Sequence, residues 1–73
     1  MKGRDRFTQA ESAAIRTALG TLRRAERPVQ KSIRESLRQQ SGFYISDWPR
    51  DATGFTRSDF DELVRQGRIH VRG

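Results

Sequence analysis

The sequence lacks cysteine and has a single histidine, and these two facts limit its chemistry. Without cysteine the chain forms no disulfide, presents no thiolate nucleophile and builds no cysteine-containing zinc site. One histidine, His70, excludes any metal site that needs two imidazole ligands. Thiol-dependent enzymes and the common zinc enzymes are therefore excluded, and we expect neither a metal nor a cofactor.

Long apolar runs are also missing. The longest are Ala13–Ile15 and Phe43–Ile45. A membrane-spanning helix needs about 20 predominantly apolar residues, and a signal peptide needs an apolar stretch of about 7–15. We therefore expect a cytoplasmic protein without a membrane partner, and the lack of cysteine fits a reducing compartment.

The chain has 73 residues, of which 33% are hydrophobic, and this length suits one domain rather than two. Four of the first six residues are charged, and this segment precedes the first apolar periodicity. We predict a flexible basic lead over residues 1–6 and a single compact α+β domain over residues 7–73. The larger apolar side chains predicted to form its core are Phe7, Ile15, Leu19, Leu22, Val29, Ile33, Leu37, Phe43, Ile45, Trp48, Phe55, Phe60, Leu63, Val64, Ile69 and Val71.

Two helices are predicted in the first half of the chain. The first spans Thr8–Glu26 and begins with Thr8 and Glu11 at capping-box spacing, so that each side chain can accept a hydrogen bond from the other's backbone N–H. The second spans Pro28–Gln40, because proline suits the first turn of a helix. Gly42 favours the left-handed conformation in which helices end.

The second half is predicted as strand, helix and strand. Apolar and aromatic residues over Phe43–Trp48 indicate a short strand, followed by a loop over Trp48–Gly54. A third helix starts after Thr56, which has Asp59 three residues on, and ends at Gly67. Residues 68–72 alternate apolar and polar and predict the last strand.

The predicted order is α-α-β-α-β, with three helices packed on a two-stranded sheet. Phe55 and Phe60 flank the start of the third helix at the spacing of a hydrophobic staple. Gly20 interrupts the first helix and indicates either a bend or a close approach by another segment.

Charge is distributed unevenly. The chain carries 15 basic and 9 acidic residues, a net charge of +6, and arginine outnumbers lysine thirteen to two. Residues 1–42 hold the whole excess, while residues 43–73 are neutral. Because guanidinium groups bind phosphates through a planar fork, this pattern predicts a phosphate-binding face on the first two helices. The predicted nucleic-acid-binding residues are Arg16, Arg23, Arg24, Arg27, Lys31, Arg34 and Arg38.

The sequence therefore favours a small non-enzymatic nucleic-acid-binding module, with DNA preferred over RNA. One alternative is a protein-interaction or homodimerising adaptor module, because the third helix places Asp59, Asp61 and Glu62 opposite the basic half. These acids would repel phosphate, so we interpret that helix as structural, although Arg57 and Ser58 at its start could touch a backbone. A further alternative is that the basic face is only solvated, as coding bias toward arginine would produce.

Size and charge invite comparison with winged-helix domains, to which the chain is similar in architecture only, without a shared residue motif. A helix-turn-helix joins its helices by a turn of about 3–4 residues. The second and third predicted helices are separated by a longer segment, so only the first two could form such a pair. The second helix would then read bases, through the outward residues Gln30, Lys31, Arg34, Arg38 and Gln39.

Catalytic signals are weak. Asp47 and Asp51 flank a proline turn, and the two carboxylates are more typical of turn formation than of acid–base chemistry. An enzyme would require Asp47, Asp51 and His70 to converge. Tyr44 is the aromatic residue best suited to stack on an unpaired base.

Overall fold

The computed structural model describes residues 2–49 and 54–72. In chain order its elements are β1 (Arg6–Thr8), α1 (Gln9–Arg24), α2 (Arg27–Ser41), a single 3₁₀ turn (Ile45–Asp47), α3 (Arg57–Arg65) and β2 (His70–Arg72). Three helices and a short two-stranded sheet form a small α+β domain, which confirms the predicted fold class. None of the described helices is long and apolar enough to cross a membrane.

The sheet joins two distant parts of the sequence. β1 and β2 pair in parallel, with Phe7 opposite Val71 at the centre of the register. Parallel strands need a crossover connection, and here α1, α2 and α3 all lie within it. α1 packs against the sheet and against both other helices, so it is the central element of the domain.

The predicted strand over Phe43–Trp48 is wrong. Residues 45–47 form the 3₁₀ turn, in which the Trp48 N–H donates to the Ile45 carbonyl at 3.1 Å. A strand would direct Ile45 and Trp48 to opposite faces, yet both side chains are buried. Three-residue periodicity brings both into the core, and β2 pairs instead with β1.

The predicted flexible lead is packed on the domain from residue 2 onward. The backbone N–H groups of Lys2 and Gly3 donate to the Asp47 carboxylate at 2.9 and 2.7 Å. The Arg4 N–H donates to the Gly42 carbonyl at 2.8 Å, and Arg6 begins β1. The described part of the lead therefore differs from the expectation and belongs to the folded unit.

The caps of the first two helices follow the predicted pattern. Thr8 and Glu11 form the complete capping box at the start of α1. Gly42 ends α2 with φ of 66°, in the left-handed region. At the junction between the helices, the Gln30 side-chain amide donates to the carbonyls of Leu22 and Ala25 at 3.2 and 3.0 Å. These bonds satisfy carbonyl groups at the end of α1 and fix the junction.

α3 also begins as predicted, with a capping box between Thr56 and Asp59. Phe55 and Phe60, which flank this box, are both buried. The ring of Phe43 lies between them, with centroids 5.8 Å from Phe55 and 5.7 Å from Phe60. Gly67 follows the helix with φ of 75°, which confirms its role as the stop.

The core contains most of the predicted residues. Phe7, Phe43 and Phe60 are fully buried at its centre, and Ile33 and Val64 pack at its edge. Val29 and Val71 are exceptions. Half of the surface of Val29 is exposed, so its placement in the core is wrong, and Val71 is only half-buried in β2, outside the core cluster. Residues four apart drift by about 40° around a helix, so Val29 is about 80° away from the buried Leu37.

Candidate nucleic-acid interface

Four of the seven predicted basic residues line two separate pockets in the structure. The α1–α3 pocket has a volume of about 460 Å³ and lies between the second half of α1 and the start of α3. Its lining residues are Leu19, Gly20, Arg23, Arg24, Thr56, Arg57 and Ser58. Two of the predicted arginines, Arg23 and Arg24, therefore meet Arg57, which was not among the predicted binding residues.

The second pocket, called the Tyr44 pocket, has a volume of about 310 Å³ and is formed by α2 and the segment after it. It is lined by Arg34, Arg38, Tyr44, Ile45 and Ser46, and shares no residue with the α1–α3 pocket. Arg38 is held in place here, because its Cζ lies 5.9 Å from the centroid of the Tyr44 ring. Its Nη2 also lies 4.0 Å from Glu35 Oε1.

Arg27 and Lys31 lie on the exposed side of α2 near its start. Arg27 follows Arg24 after only the two residues of the helix junction, so both are at the same end of the α1–α2 pair. Among the described residues, no acidic group lies within ion-pair distance of Arg23, Arg24, Arg27, Lys31 or Arg34. These five predicted residues leave their positive charge available to a ligand.

Arg16 has a different environment from the other predicted residues. Its Nε lies 3.1 Å from Asp61 Oδ1, and its Nη2 donates to Asp61 Oδ2 at 3.3 Å. This two-point contact joins α1 to α3 in the geometry that arginine and carboxylate favour. Arg16 is therefore engaged within the domain.

The acidic residues of α3 all have partners within the described chain. Asp59 accepts hydrogen bonds from the Thr56 N–H and hydroxyl, and Asp61 pairs with Arg16. Glu62 pairs with Arg65, whose hydrogen bonds are the main cause of the lowered pKa of the Glu62 carboxyl. Among the described residues, no acidic side chain lines the α1–α3 pocket.

Gly20 explains how α3 can approach α1 so closely. A β-carbon built at Gly20 would lie 3.6 Å from Arg57 Cδ, so the Arg57 side chain passes along the bare backbone of α1. The sequence signalled a bend or a close approach at this glycine, and the structure shows the close approach. Only the tertiary arrangement reveals that the approaching residue is Arg57.

The proposed base-reading role of Gln30 conflicts with its contacts. Its side-chain amide is committed to the carbonyls of Leu22 and Ala25, and the residue is partly buried. Gln39, the other outward amide, remains exposed on α2. Base recognition by α2 would therefore have to involve Gln39 and the basic residues.

Tyr44 is only partly exposed, because other residues cover its ring. Arg38 lies over the ring, and a β-carbon at Gly3 would come within 2.7 Å of Tyr44 Cδ1. The packed lead therefore reaches the ring edge. Stacking of Tyr44 on a base stays a prediction, and it would require displacement of one of these neighbours.

Asp47 and His70, the two candidate catalytic residues that the structure describes, have separate surroundings. The pKa of Asp47 is lowered chiefly by the hydrogen bond from the Lys2 N–H, and that from Gly3 adds to it. His70 is exposed on β2, and Asp51 lies outside the described residues. Within the described ranges, no three residues among histidine, aspartate and glutamate are grouped so as to hold a metal ion.

Comparison of the chain with protein families, curated proteins and solved structures finds no match. Functional inference for this protein therefore rests on its own residues and their geometry.

Proposed function

We propose that this protein is a small non-enzymatic nucleic-acid-binding module that contacts phosphates through the first two helices. One observation carries the proposal: five of the seven predicted basic residues have no acidic partner among the described residues, whereas the acids of α3 are paired. The positive charge is therefore concentrated where a polyanion can reach it. Such contacts supply affinity and salt dependence rather than sequence preference.

DNA is the favoured partner over RNA. The exposed basic residues of α2 follow one helix, and the major groove of B-form DNA is wide enough to admit a helix. The corresponding groove of A-form RNA is deep and narrow, so an α-helix fits it poorly. The proposal includes a cytoplasmic location, which the lack of cysteine supports.

Fluorescence anisotropy with duplex DNA and with RNA over a salt series tests the proposal. The logarithm of the binding constant should fall linearly with the logarithm of salt concentration, with a slope of about 0.9 per phosphate contact on duplex DNA. We expect a slope of several units. Weak binding that does not respond to salt would overturn the proposal.

A pair of charge-matched variants locates the contacts. Replacing Arg27 and Lys31 by glutamine should reduce the slope by about 1.8 if each contacts one phosphate. Replacing Arg65 and Arg72 by glutamine removes the same charge from α3 and β2 and should leave the slope unchanged. Equal effects of the two variants would show that net charge, rather than the proposed face, determines binding.

A homodimerising or protein-interaction module is the second candidate. Val29 is half exposed, and next to it a groove between α1 and α2 is lined by the apolar side chains of Ala14, Ala18, Ile33 and Leu37. Sedimentation at several protein concentrations tests this candidate. A strict monomer would remove the homodimer, and loss of a dimer in Val29→Lys would support it.

A further inference from the structure

We infer that the α1–α3 pocket is a discrete phosphate site, which receives one phosphate group of a bound nucleic acid. Arg57 joins Arg23 and Arg24 there as a binding residue. This inference rests on the proposed function and extends it, because it names a chemical group and a place for it. The shape of the site comes from tertiary packing rather than from one helix face.

The lining of the pocket matches the chemistry of phosphate. Three guanidinium-bearing residues converge from two elements, Arg23 and Arg24 from α1 and Arg57 from α3. Guanidinium groups donate charge-assisted hydrogen bonds to phosphate oxygens in pairs. The hydroxyls of Thr56 and Ser58 are further polar groups at the rim, although Thr56 is occupied with Asp59.

The charges around the pocket are not cancelled by neighbours. Among the described residues, Arg23, Arg24 and Arg57 make no ion pair, and the nearby Asp59 and Asp61 are committed to Thr56 and Arg16. Arg57 is also the first residue of α3, so the positive end of that helix dipole has the same sign as the arginines. Three like charges held in one concave site without a counter-charge favour an anion.

The concave shape distinguishes this site from the exposed basic surface at the start of α2. About 460 Å³ is enough space for a phosphate group together with the sugar that carries it. Arg27 and Lys31, by contrast, project from an exposed helix surface. Both an internal backbone phosphate and a terminal phosphate offer the required chemistry. A backbone phosphate is joined to a sugar on both sides, whereas a terminal phosphate is joined to one sugar only.

Ser58→Glu is the variant that tests the pocket. It places a carboxylate among the three arginines, and the second position of a helix favours a negative charge, so α3 should remain folded. Gln66→Glu is the matched control, because it introduces the same charge at the other end of α3, away from the proposed binding residues. Thermal melting of both variants confirms that each is folded.

Three ligands are titrated into the wild type and both variants, with backbone amide chemical shifts and anisotropy as readouts. They are inorganic phosphate, a duplex DNA oligonucleotide with 5′-phosphates, and the same duplex oligonucleotide with 5′-hydroxyls. We expect phosphate to shift the amides of Gly20 and Ser58 in the wild type. Ser58→Glu should weaken phosphate and oligonucleotide binding by about tenfold, whereas Gln66→Glu should change it much less.

The outcomes separate this inference from the proposed function. If the oligonucleotide binds Ser58→Glu and wild type equally well, the pocket is overturned and nucleic-acid binding stands. If phosphate shifts the pocket amides but neither oligonucleotide binds, the proposed function is overturned and a phosphate site remains. Tighter binding of the 5′-phosphorylated oligonucleotide identifies a terminal phosphate. Equal binding of the 5′-phosphorylated and 5′-hydroxyl oligonucleotides identifies a backbone phosphate.

Discussion

The α1–α3 pocket and the Tyr44 pocket are both lined by arginine, but the arginines differ in what surrounds them. In the Tyr44 pocket, Arg38 lies over an aromatic ring and near Glu35. In the α1–α3 pocket, Arg23 and Arg57 have no acidic partner among the described residues. Arg38 is therefore engaged within the domain, whereas Arg23 and Arg57 remain available for a ligand, as does Arg34, which also lines the Tyr44 pocket.

This difference shows why a count of charges along the chain describes the surface incompletely. Arg16 and Arg23 are one heptad apart on α1, yet only Arg16 meets a carboxylate. The difference between them follows from the position of α3. Its Asp61 pairs with Arg16, while Arg57 at its start lines the α1–α3 pocket. The positive charge of Arg16 is thus offset by a neighbouring carboxylate, whereas that of Arg23 has no ion-pair partner among the described residues.

The largest expected effect comes from reversing charge in each pocket in turn. Arg23→Glu with Arg57→Glu should weaken DNA binding by about 100-fold at constant moderate salt, because uncompensated phosphate contacts become repulsive. The double variant Arg34→Glu with Arg38→Glu has the same net charge and should weaken DNA binding by only about tenfold, since Arg38 is already engaged. Anisotropy measures both, and equal losses would abolish the distinction between the pockets.

The glycine beside each pocket provides the second comparison. Gly42→Ala should lower the free energy of unfolding by about 1–2 kcal/mol, because φ of 66° is unfavourable for alanine. Its β-carbon would also lie 2.9 Å from Arg4 Cδ. Gly20→Ala should raise stability by up to about 1 kcal/mol, because glycine is unfavourable within a helix.

Thermal melting distinguishes these two glycines, since about 1 kcal/mol corresponds to roughly 4–8 °C for a domain of this size. The β-carbon at Gly20 would make an ordinary contact with Arg57 at 3.6 Å. A destabilised Gly20→Ala variant would therefore contradict the observed spacing between α1 and α3.

A smaller effect is expected from releasing Arg16. Asp61→Asn breaks the α1–α3 ion pair and adds Arg16 to the available charges, so DNA affinity should rise about threefold. Glu62→Gln adds the same charge but frees Arg65 on α3, away from the proposed face. Both ion pairs are exposed and contribute at most about 1 kcal/mol, so neither variant should unfold the domain. An equal gain in both variants would attribute the effect to net charge.

The smallest expected effect is a loss of stability at low pH. The folded-state pKa of Asp47 lies below its unfolded value of 3.8, chiefly because the Lys2 N–H donates to the carboxylate. Its contribution to stability is therefore complete above the unfolded pKa and is lost as pH falls through the folded pKa. Thermal melts toward about pH 2 should show this loss as a falling melting temperature. In Asp47→Asn the melting temperature should depend less on pH in the acid range.

Glu11 and Glu62 have lowered pKa values as well, so a residual acid dependence should remain in Asp47→Asn. Hydrogen exchange at the Gly3 amide provides a local measurement. We expect faster exchange in acid at Gly3 but not in the middle of α2, where the amides are hydrogen-bonded within the helix. Uniform acceleration would indicate global unfolding rather than release of the lead.

The helices could be predicted from sequence because their signals are local. Thr8 with Glu11, and Thr56 with Asp59, each lie three residues apart, and both capping boxes formed as expected. β1 escaped prediction because three residues carry almost no periodicity, and its partner is at the other end of the sequence. Without knowledge of that pairing, the sequence places the partner of the last strand at the apolar residues around Ile45.

The candidate site could likewise be predicted from sequence only in part. The basic residues of α1 and α2 and their helical positions follow from periodicity, so Arg23 and Arg24 could be selected from sequence. The pairing of Arg16 and the convergence of Arg57 could not, because both depend on how α3 docks against α1. Gly20 was the one local signal of that docking, and it gave no indication of the partner.

The parallel pairing of Phe7 with Val71 also has a consequence for folding. Forming the sheet closes a loop of about 60 residues, which costs more conformational entropy than any local turn in the domain. The capping boxes and the α1–α2 junction can form early, but the core around Phe7 waits for residues near Val71 to arrive. Contacts so distant in sequence slow folding, so this mainly helical domain should fold more slowly than a simple helical bundle of its size.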